Sequence, residues 1–141
     1  MNAYAKQASN YLAQRIMAAS PEQQAALIME AGQLHLGKAI QAIDRNDQAA
    51  ATSSFLRVSE VIQEASIRLN TEDGGELVGN LGKLYGWWMQ EIMQASRTSD
   101  TARLAAVAQG MGEIRQGWEQ LHSKKVGVGA ASAGTFSELV G

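Results

Sequence analysis

Apolar residues recur every three or four positions along most of the chain, which is the spacing of one face of an α-helix. The most regular run has Leu104, Val107, Met111, Ile114, Trp118 and Leu121, separated by alternating steps of 3 and 4 residues. No segment of comparable length alternates apolar and polar residues in the way that a half-buried strand does. The pattern therefore predicts an all-α protein.

The first two helices carry start signals. Ser20, Pro21 and Gln23 supply an N-cap hydroxyl, a proline at the first helical position and a capping-box partner, which predicts a helix over about 21–44. Asp47 can cap the helix that follows. In this second helix, heptad spacing is predicted to bury Phe55, Val58, Ile62, Ala65 and Leu69.

Polar breaks precede the third and fourth helices. The turn-rich segment 71–75 comes before the third helix, and Ser99 or Asp100 can cap the fourth. In the third helix, heptad spacing is predicted to bury Leu77, Leu81, Leu84, Trp88, Ile92 and Ala95.

Four long helices joined by short polar loops predict an antiparallel four-helix bundle. We divide the chain into an N-terminal segment or lid (1–17), the bundle (18–122) and a flexible C-terminal tail (123–141). The N-terminal segment has a weak apolar face and is expected to form a short helix packed on the bundle. The tail is predicted to be flexible because residues 126–134 are low in complexity and rich in glycine and alanine.

Composition excludes several classes of function. The 141 residues carry a formal net charge of −2, with no basic cluster to neutralise phosphates, so we expect no nucleic-acid partner. The chain has no cysteine, which excludes thiol catalysis and is typical of cytosolic proteins. It shows neither a signal peptide nor an apolar run long enough to span a membrane, so we expect a cytosolic protein without direct membrane insertion.

No arrangement of residues predicts catalysis. His35 and His122 are far apart, and neither belongs to a metal-binding spacing. The segment 32–39 nearly matches a phosphate-binding loop, but it ends in Ala39 and lies within a helical pattern, so its backbone N–H groups are already used. We therefore expect no enzyme activity, no cofactor and no metal site.

Two helices carry apolar residues that a single bundle core does not use. On the first helix, Leu27, Ala31 and Leu34 lie opposite the predicted core face. On the third, a second stripe and a tryptophan on the polar side add Tyr85, Trp87, Met89 and Met93, and the N-terminal segment adds Tyr11. Either the N-terminal segment covers these residues, or they form a groove for an amphipathic helix of a partner. Both interpretations hold if the N-terminal segment is a removable lid.

Glycines interrupt the predicted helices at Gly32, Gly37, Gly79, Gly82, Gly86, Gly110, Gly112 and Gly117. Each costs about 0.5–1 kcal/mol relative to alanine. Either neighbouring helices approach closely at these positions, or the bundle is soft until a partner packs against it. In the second case, hydrogen exchange should show the helix over 76–96 opening easily.

Several short motifs occur in a fixed order along the chain. They are Ala19-Ser20-Pro21, Leu69-Asn70 followed by Gly74-Gly75-Glu76-Leu77, then Asn80-Leu81, Leu84-Tyr85, and Arg115 with Trp118. In this order and spacing they resemble the flagellar secretion chaperone FliS family over roughly residues 3–121. The family's Leu-Tyr-Asp-Tyr run reads Leu84-Tyr85-Gly86-Trp87 here, which keeps an aromatic residue at Trp87.

The resemblance implies a cytosolic export chaperone that binds the C-terminal helical region of flagellin and prevents premature polymerisation. It also implies delivery of flagellin to the flagellar type III export gate, without a nucleotide. In the family, the N-terminal segment lies over the partner groove of the free protein and takes part in gate recognition; Tyr4 is the matching residue here. We expect a monomer, or at most a weak dimer.

Two other classes of function remain as alternatives. A helical homo-oligomeric interaction module without a flagellin client would use the extra apolar stripes for self-association. A phosphotransfer module would depend on His35, but the surrounding sequence offers no acidic or basic helper residues. We rank the chaperone first and the oligomeric module second.

Overall fold

The structure is a computed structural model and describes residues 20–69 and 74–132. Within these ranges the secondary structure consists of four α-helices: α1 (Pro21–Asp44), α2 (Gln48–Ile67), α3 (Gly75–Thr98) and α4 (Thr101–Ser132). The prediction of an all-α fold is confirmed. None of the described helices combines the length and apolar character required to cross a membrane.

The capping residues act as the sequence predicts. The Ser20 backbone N–H donates to Gln23 Oε1 (2.9 Å), and the Gln23 backbone N–H donates to Ser20 Oγ (3.2 Å), which completes the capping box. The carboxylate of Asp47 accepts from the Ala50 backbone N–H at 3.0 Å. Asp100 likewise accepts from the Arg103 backbone N–H at 3.1 Å and starts α4. These bonds satisfy helix N–H groups that have no partner within the helix.

Residues 28–114 form one compact unit, a four-helix bundle. Trp88 of α3 lies against Gly110 of α4, and nearer the end of α3 Glu91 pairs with Arg103, so these two helices run antiparallel. The largest fully buried side chains in this unit are Met29, Leu36, Val58, Ile62, Trp88, Ile92, Leu104, Val107 and Met111. They form the core of the bundle.

The core faces of α2 and α3 are rotated from the predicted ones. On α3 the buried stripe includes Tyr85, whereas Leu77 is exposed and Leu84 is only half-buried. On α2 the small residues Ala51 and Ser54 are buried, and Phe55 is half-buried. The predicted burial of Leu77 is therefore wrong, and that of Leu84 and Phe55 is only partly correct. Steps of three and of four residues fit a helix equally well, so spacing alone does not fix the centre of the buried face.

The second compact unit includes, among the described residues, 20–27 and 115–132. Ser20 Oγ lies 3.0 Å from His122 Nδ1, and Lys125 Nζ donates to Glu22 Oε1. These two contacts hold the beginning of α1 against the last turns of α4. The Lys125 ammonium lowers the pKa of the Glu22 carboxyl, chiefly through this hydrogen bond.

The fourth helix is longer than the sequence pattern indicates. The sequence predicts residues 123–132 to be part of a flexible tail, but they are helical up to Ser132. The contact between Lys125 and Glu22 gives a physical reason, because it ties the helix down beyond the last apolar residue of the stripe. The rest of the tail (133–141) and the N-terminal segment (1–17) lie outside the described residues.

Candidate partner-binding surface

Helix α3 presents apolar side chains on two separate flanks. The side chain of Trp87 is 50% exposed and that of Met93 is 56% exposed. With about 100° of rotation per residue, the step of six residues from Trp87 to Met93 places these side chains about 120° apart around the helix axis. The buried stripe that contains Trp88 and Ile92 lies on the opposite side of the helix axis from this exposed arc. One groove therefore does not contain both residues.

Met93 lies in a groove between α2 and α3 that is closed at one end by the turn between α1 and α2. We call this the α2–α3 groove; its apolar lining is Ala42, Ile43, Ala51, Phe55, Leu56, Ile92 and Met93. Three serines also line it, and the hydroxyls of two of them bond to backbone carbonyls of their own helices. Ser59 Oγ donates to the Phe55 carbonyl (3.1 Å) and Ser96 Oγ to the Met93 carbonyl (2.7 Å). The groove can therefore bind an apolar side chain without leaving these hydroxyls unpaired.

Trp87 lies on the flank of α3 that is next to α4. Glu91, four residues further along, shares this flank and pairs with Arg103 of α4 at 2.6 Å. Hydrogen bonds that the Arg103 guanidinium donates, first to Glu91 and then to Asp100, raise the pKa of this guanidinium above its ordinary value. An exposed indole beside a fixed ion pair is suited to a partner segment that has both apolar and polar residues.

Tyr85 is not on the surface in this conformation. Its side chain is 2% exposed and its ring stacks on that of Trp88, with centroids 5.3 Å apart and an interplanar angle of 28°. The ring belongs to the core, so it contacts a partner only if α3 changes its conformation. Met89, also a candidate from the sequence, is half-buried on the flank that carries Met93.

A third set of candidates lies on α1. Leu34 is 56% exposed, and Leu27 and Ala31 are half-buried on the same helical face. Next to Leu34, the pKa of His35 is lowered, mainly by burial and then by the positive charges of Lys38 and Arg57. The two remaining candidates, Tyr4 and Tyr11, lie outside the described residues.

Sequence reasoning missed Leu56, whose side chain is 61% exposed at the α2–α3 groove. The signal was present, because Leu56 is a large apolar residue that does not fit the heptad positions of α2. Ile67 of α2 is likewise exposed and was not a candidate. In the part of the chain that the structure describes, no group of three or more His, Asp or Glu side chains is placed to hold a metal ion.

Comparison with known proteins assigns this bundle to a family. A family model described as Flagellar protein FliS matches residues 3–125. The flagellar secretion chaperone FliSB of Pseudomonas aeruginosa is 29% identical over 101 residues, which cover 72% of this chain and 80% of the relative. The flagellar secretion chaperones FliS of Salmonella typhimurium and Vibrio cholerae are 24% and 25% identical, over 77% and 85% of this chain and 82% and 88% of the relatives. The chain therefore belongs to the Flagellar protein FliS family.

Proposed function

We propose that this protein is a cytosolic export chaperone that binds the C-terminal helical region of flagellin, prevents its premature polymerisation and delivers it to the flagellar type III export gate. The observation that carries this proposal is the pair of apolar flanks on α3, at Trp87 and Met93, in a bundle of the FliS family. The protein acts by occupying the helix faces of its client, without catalysis.

The positions of the two flanks favour a client that wraps around the bundle. A segment lying in the α2–α3 groove contacts Met93, and it must pass around α3 to reach Trp87. A disordered segment can do this, because it orders along the surface as it binds. The ordering costs entropy, so the binding free energy must come from a large apolar area.

The residue types suit the two flanks to different roles. Trp87 offers a large, rigid side chain, which is typical of residues that dominate a binding interface. Met93 is flexible and polarizable, and it can adapt to side chains of different shapes. We therefore expect Trp87 to contribute most of the affinity and Met93 to contribute tolerance of sequence variation in the client.

Isothermal titration calorimetry with the C-terminal segment of a flagellin from the same cell tests the proposal. We expect one-to-one binding with a negative heat-capacity change, because apolar surface is removed from water. Trp87→Ala should weaken binding by about 10- to 100-fold. Ile67→Ala, which also removes an exposed apolar side chain but from α2, serves as the matched control and should bind like the wild type.

Absence of binding by the folded wild-type protein at tens of micromolar would contradict the proposal. Sedimentation velocity of the same sample then distinguishes the alternative. A stable dimer that ignores the flagellin segment would favour a homo-oligomeric module, for which the exposed Leu56 and Ile67 on α2 provide an apolar surface.

Delivery to the export gate is a separate step with its own test. We propose that Tyr4 takes part in recognition of the gate protein. Tyr4→Ala should leave flagellin binding intact and weaken binding of the chaperone–flagellin complex to the cytosolic domain of the gate, measured by surface plasmon resonance. Equal gate binding by the two complexes would remove Tyr4 from this role.

A further inference from the structure

The helix glycines of the bundle fall into two groups. At the first group a Cβ would lie closer to a neighbouring side chain than in an ordinary van der Waals contact. A Cβ on Gly32 would lie 2.5 Å from Met111 Sδ, one on Gly112 would lie 2.7 Å from Gln33 Nε2, and one on Gly110 would lie 3.2 Å from the Trp88 ring. Close approach of α1 and α3 to α4 explains these glycines.

The glycines of α3 have no such explanation. Within the described residues, nothing lies within 4 Å of a Cβ built on Gly79 or Gly86, and one on Gly82 would meet Leu69 Cδ1 at 3.9 Å, an ordinary contact. All three positions are exposed. Packing does not require glycine here, yet each glycine favours the unfolded chain because it has more backbone freedom to lose.

The beginning of α3 is also held weakly. Its N-cap is Gly74, which has no side chain to accept a hydrogen bond from the first turn. Gly75 has a φ of +55°, and the first backbone bond of the helix, from Val78 N–H to the Gly74 carbonyl, is long at 3.4 Å. Leu77, in the first turn, is exposed.

The second half of α3 is anchored in a way that the first half is not. Both halves have buried side chains, Leu81 and Tyr85 in the first and Trp88, Ile92 and Ala95 in the second, but Glu91 in the second half also pairs with Arg103 of α4. The helix ends with a short bond of 2.7 Å from the Ser99 N–H to the Ala95 carbonyl. The stability of α3 is therefore expected to differ between its two halves.

We propose that residues 75–86 form a segment that opens locally while residues 88–98 stay folded, and that this opening admits the client. Opening exposes Leu81 and Tyr85, which are buried in the closed form. Tyr85 then reaches a partner from which the closed helix excludes it. The second half of this inference rests on the proposed chaperone function, whereas the first half concerns the free protein alone.

Hydrogen exchange followed by mass spectrometry tests the opening in the free full-length protein. We expect residues 75–86 to exchange faster than residues 88–98. In Gly79→Ala/Gly86→Ala, exchange of residues 75–86 should slow by about 5- to 30-fold, because two alanines favour the helix. Gly37→Ala is the matched control, since nothing described lies within 4 Å of that position on α1 either, and it should leave α3 exchange unchanged.

Stopped-flow binding of the flagellin C-terminal segment tests the link to loading. If opening precedes binding, the double variant should associate more slowly by the same factor, while dissociation is not accelerated. A direct clash of the new methyl groups with the client would instead accelerate dissociation and leave association unchanged, which would overturn the loading role. Equal exchange in both halves of α3, or no effect of the alanines on exchange, would overturn the opening itself. If the wild type binds no flagellin, the proposed function and the loading role fail together, while the exchange result still decides whether the segment opens.

Discussion

Single residues on α3 differ sharply in environment from their immediate neighbours. Tyr85 is buried, Gly86 and Trp87 are exposed, and Trp88 is buried again. Helical rotation of about 100° per residue produces this change, so the identity of one residue says little about the next. Of two adjacent residues such as Trp87 and Trp88, the one that faces away from the core contributes to the candidate surface.

The glycines allow this to be tested on stability. Gly32→Ala should lower the free energy of unfolding by about 1–3 kcal/mol, because the new methyl group meets the buried Met111 side chain. Gly37→Ala should raise it by about 0.5–1 kcal/mol. Urea unfolding followed by circular dichroism measures both. A Gly32→Ala variant that is as stable as the wild type would show that Met111 moves aside without cost.

His35 predicts a pH dependence of stability. Burial and the nearby Lys38 and Arg57 lower its pKa in the folded state below the ordinary value of 6.5, so the unfolded chain binds the proton more readily. Stability should fall as the pH drops through 6.5 and level off below the folded-state pKa; above 6.5 the residue is neutral in both states. His35→Gln should lose less stability than the wild type between pH 7 and pH 5 in urea unfolding. Identical losses would exclude His35 as the cause.

At the scale of whole helices, the sequence predicts where a helix begins better than it predicts which face of the helix is buried. Helix starts are local: Ser20, Asp47 and Asp100 bond to N–H groups only three residues away, so residue type and position suffice. The buried face of a helix depends on its neighbours. Tyr85 rather than Leu84 enters the core of the bundle, a choice that the spacing of α3 leaves open.

The end of α4 depends on a contact distant in sequence, and it gives a prediction of its own. Lys125→Met removes the partner of Glu22, so the last turns of α4 should exchange their amide hydrogens several-fold faster. The pKa of Glu22 should rise towards its ordinary value. In the wild type, the pair stabilises the fold above the unfolded-state pKa of Glu22, and this contribution is lost as the pH falls through the lower folded-state pKa. Lys125→Met should lack this contribution.

Lys124→Met is the control for this prediction, because Lys124 is an exposed lysine with no ion pair to any of the described residues. Hydrogen exchange of residues 118–132 and acid unfolding of both variants provide the measurements. Equal exchange in Lys125→Met and Lys124→Met would mean that the helix beyond residue 122 does not depend on Glu22.

At the scale of the whole molecule, the proposed client would contact two separate flanks of α3. Trp87 and Met93 point about 120° apart and lie on opposite sides of the buried stripe. In a double-mutant cycle, the losses of binding free energy from Trp87→Ala and Met93→Ala should add to within about 0.5 kcal/mol. Calorimetry of the four proteins measures this. A larger coupling would mean that one client side chain contacts both residues, which a wrapped client does not require.

The candidate surface could be predicted only in part, because the exposure of a side chain depends on how the helices pack together. The sequence predicts Trp87, Met93 and Leu34 as candidates because one core does not use them, and they are exposed. Tyr85 is predicted on the same ground but packs in the core, and the sequence pattern does not single out Leu56, which is exposed. Such choices depend on how α2 and α3 pack together, which a single helical pattern does not contain.

The consecutive tryptophans on α3 also give the protein two optical probes in unlike surroundings. Trp88 is 1% exposed and stacked on Tyr85, so a dissolved quencher such as acrylamide reaches its fluorescence only when the core opens. The half-exposed Trp87 is open to the quencher until something covers it. In a Trp118→Phe background, quenching therefore separates occupancy of the surface from integrity of the fold in a single unlabelled sample.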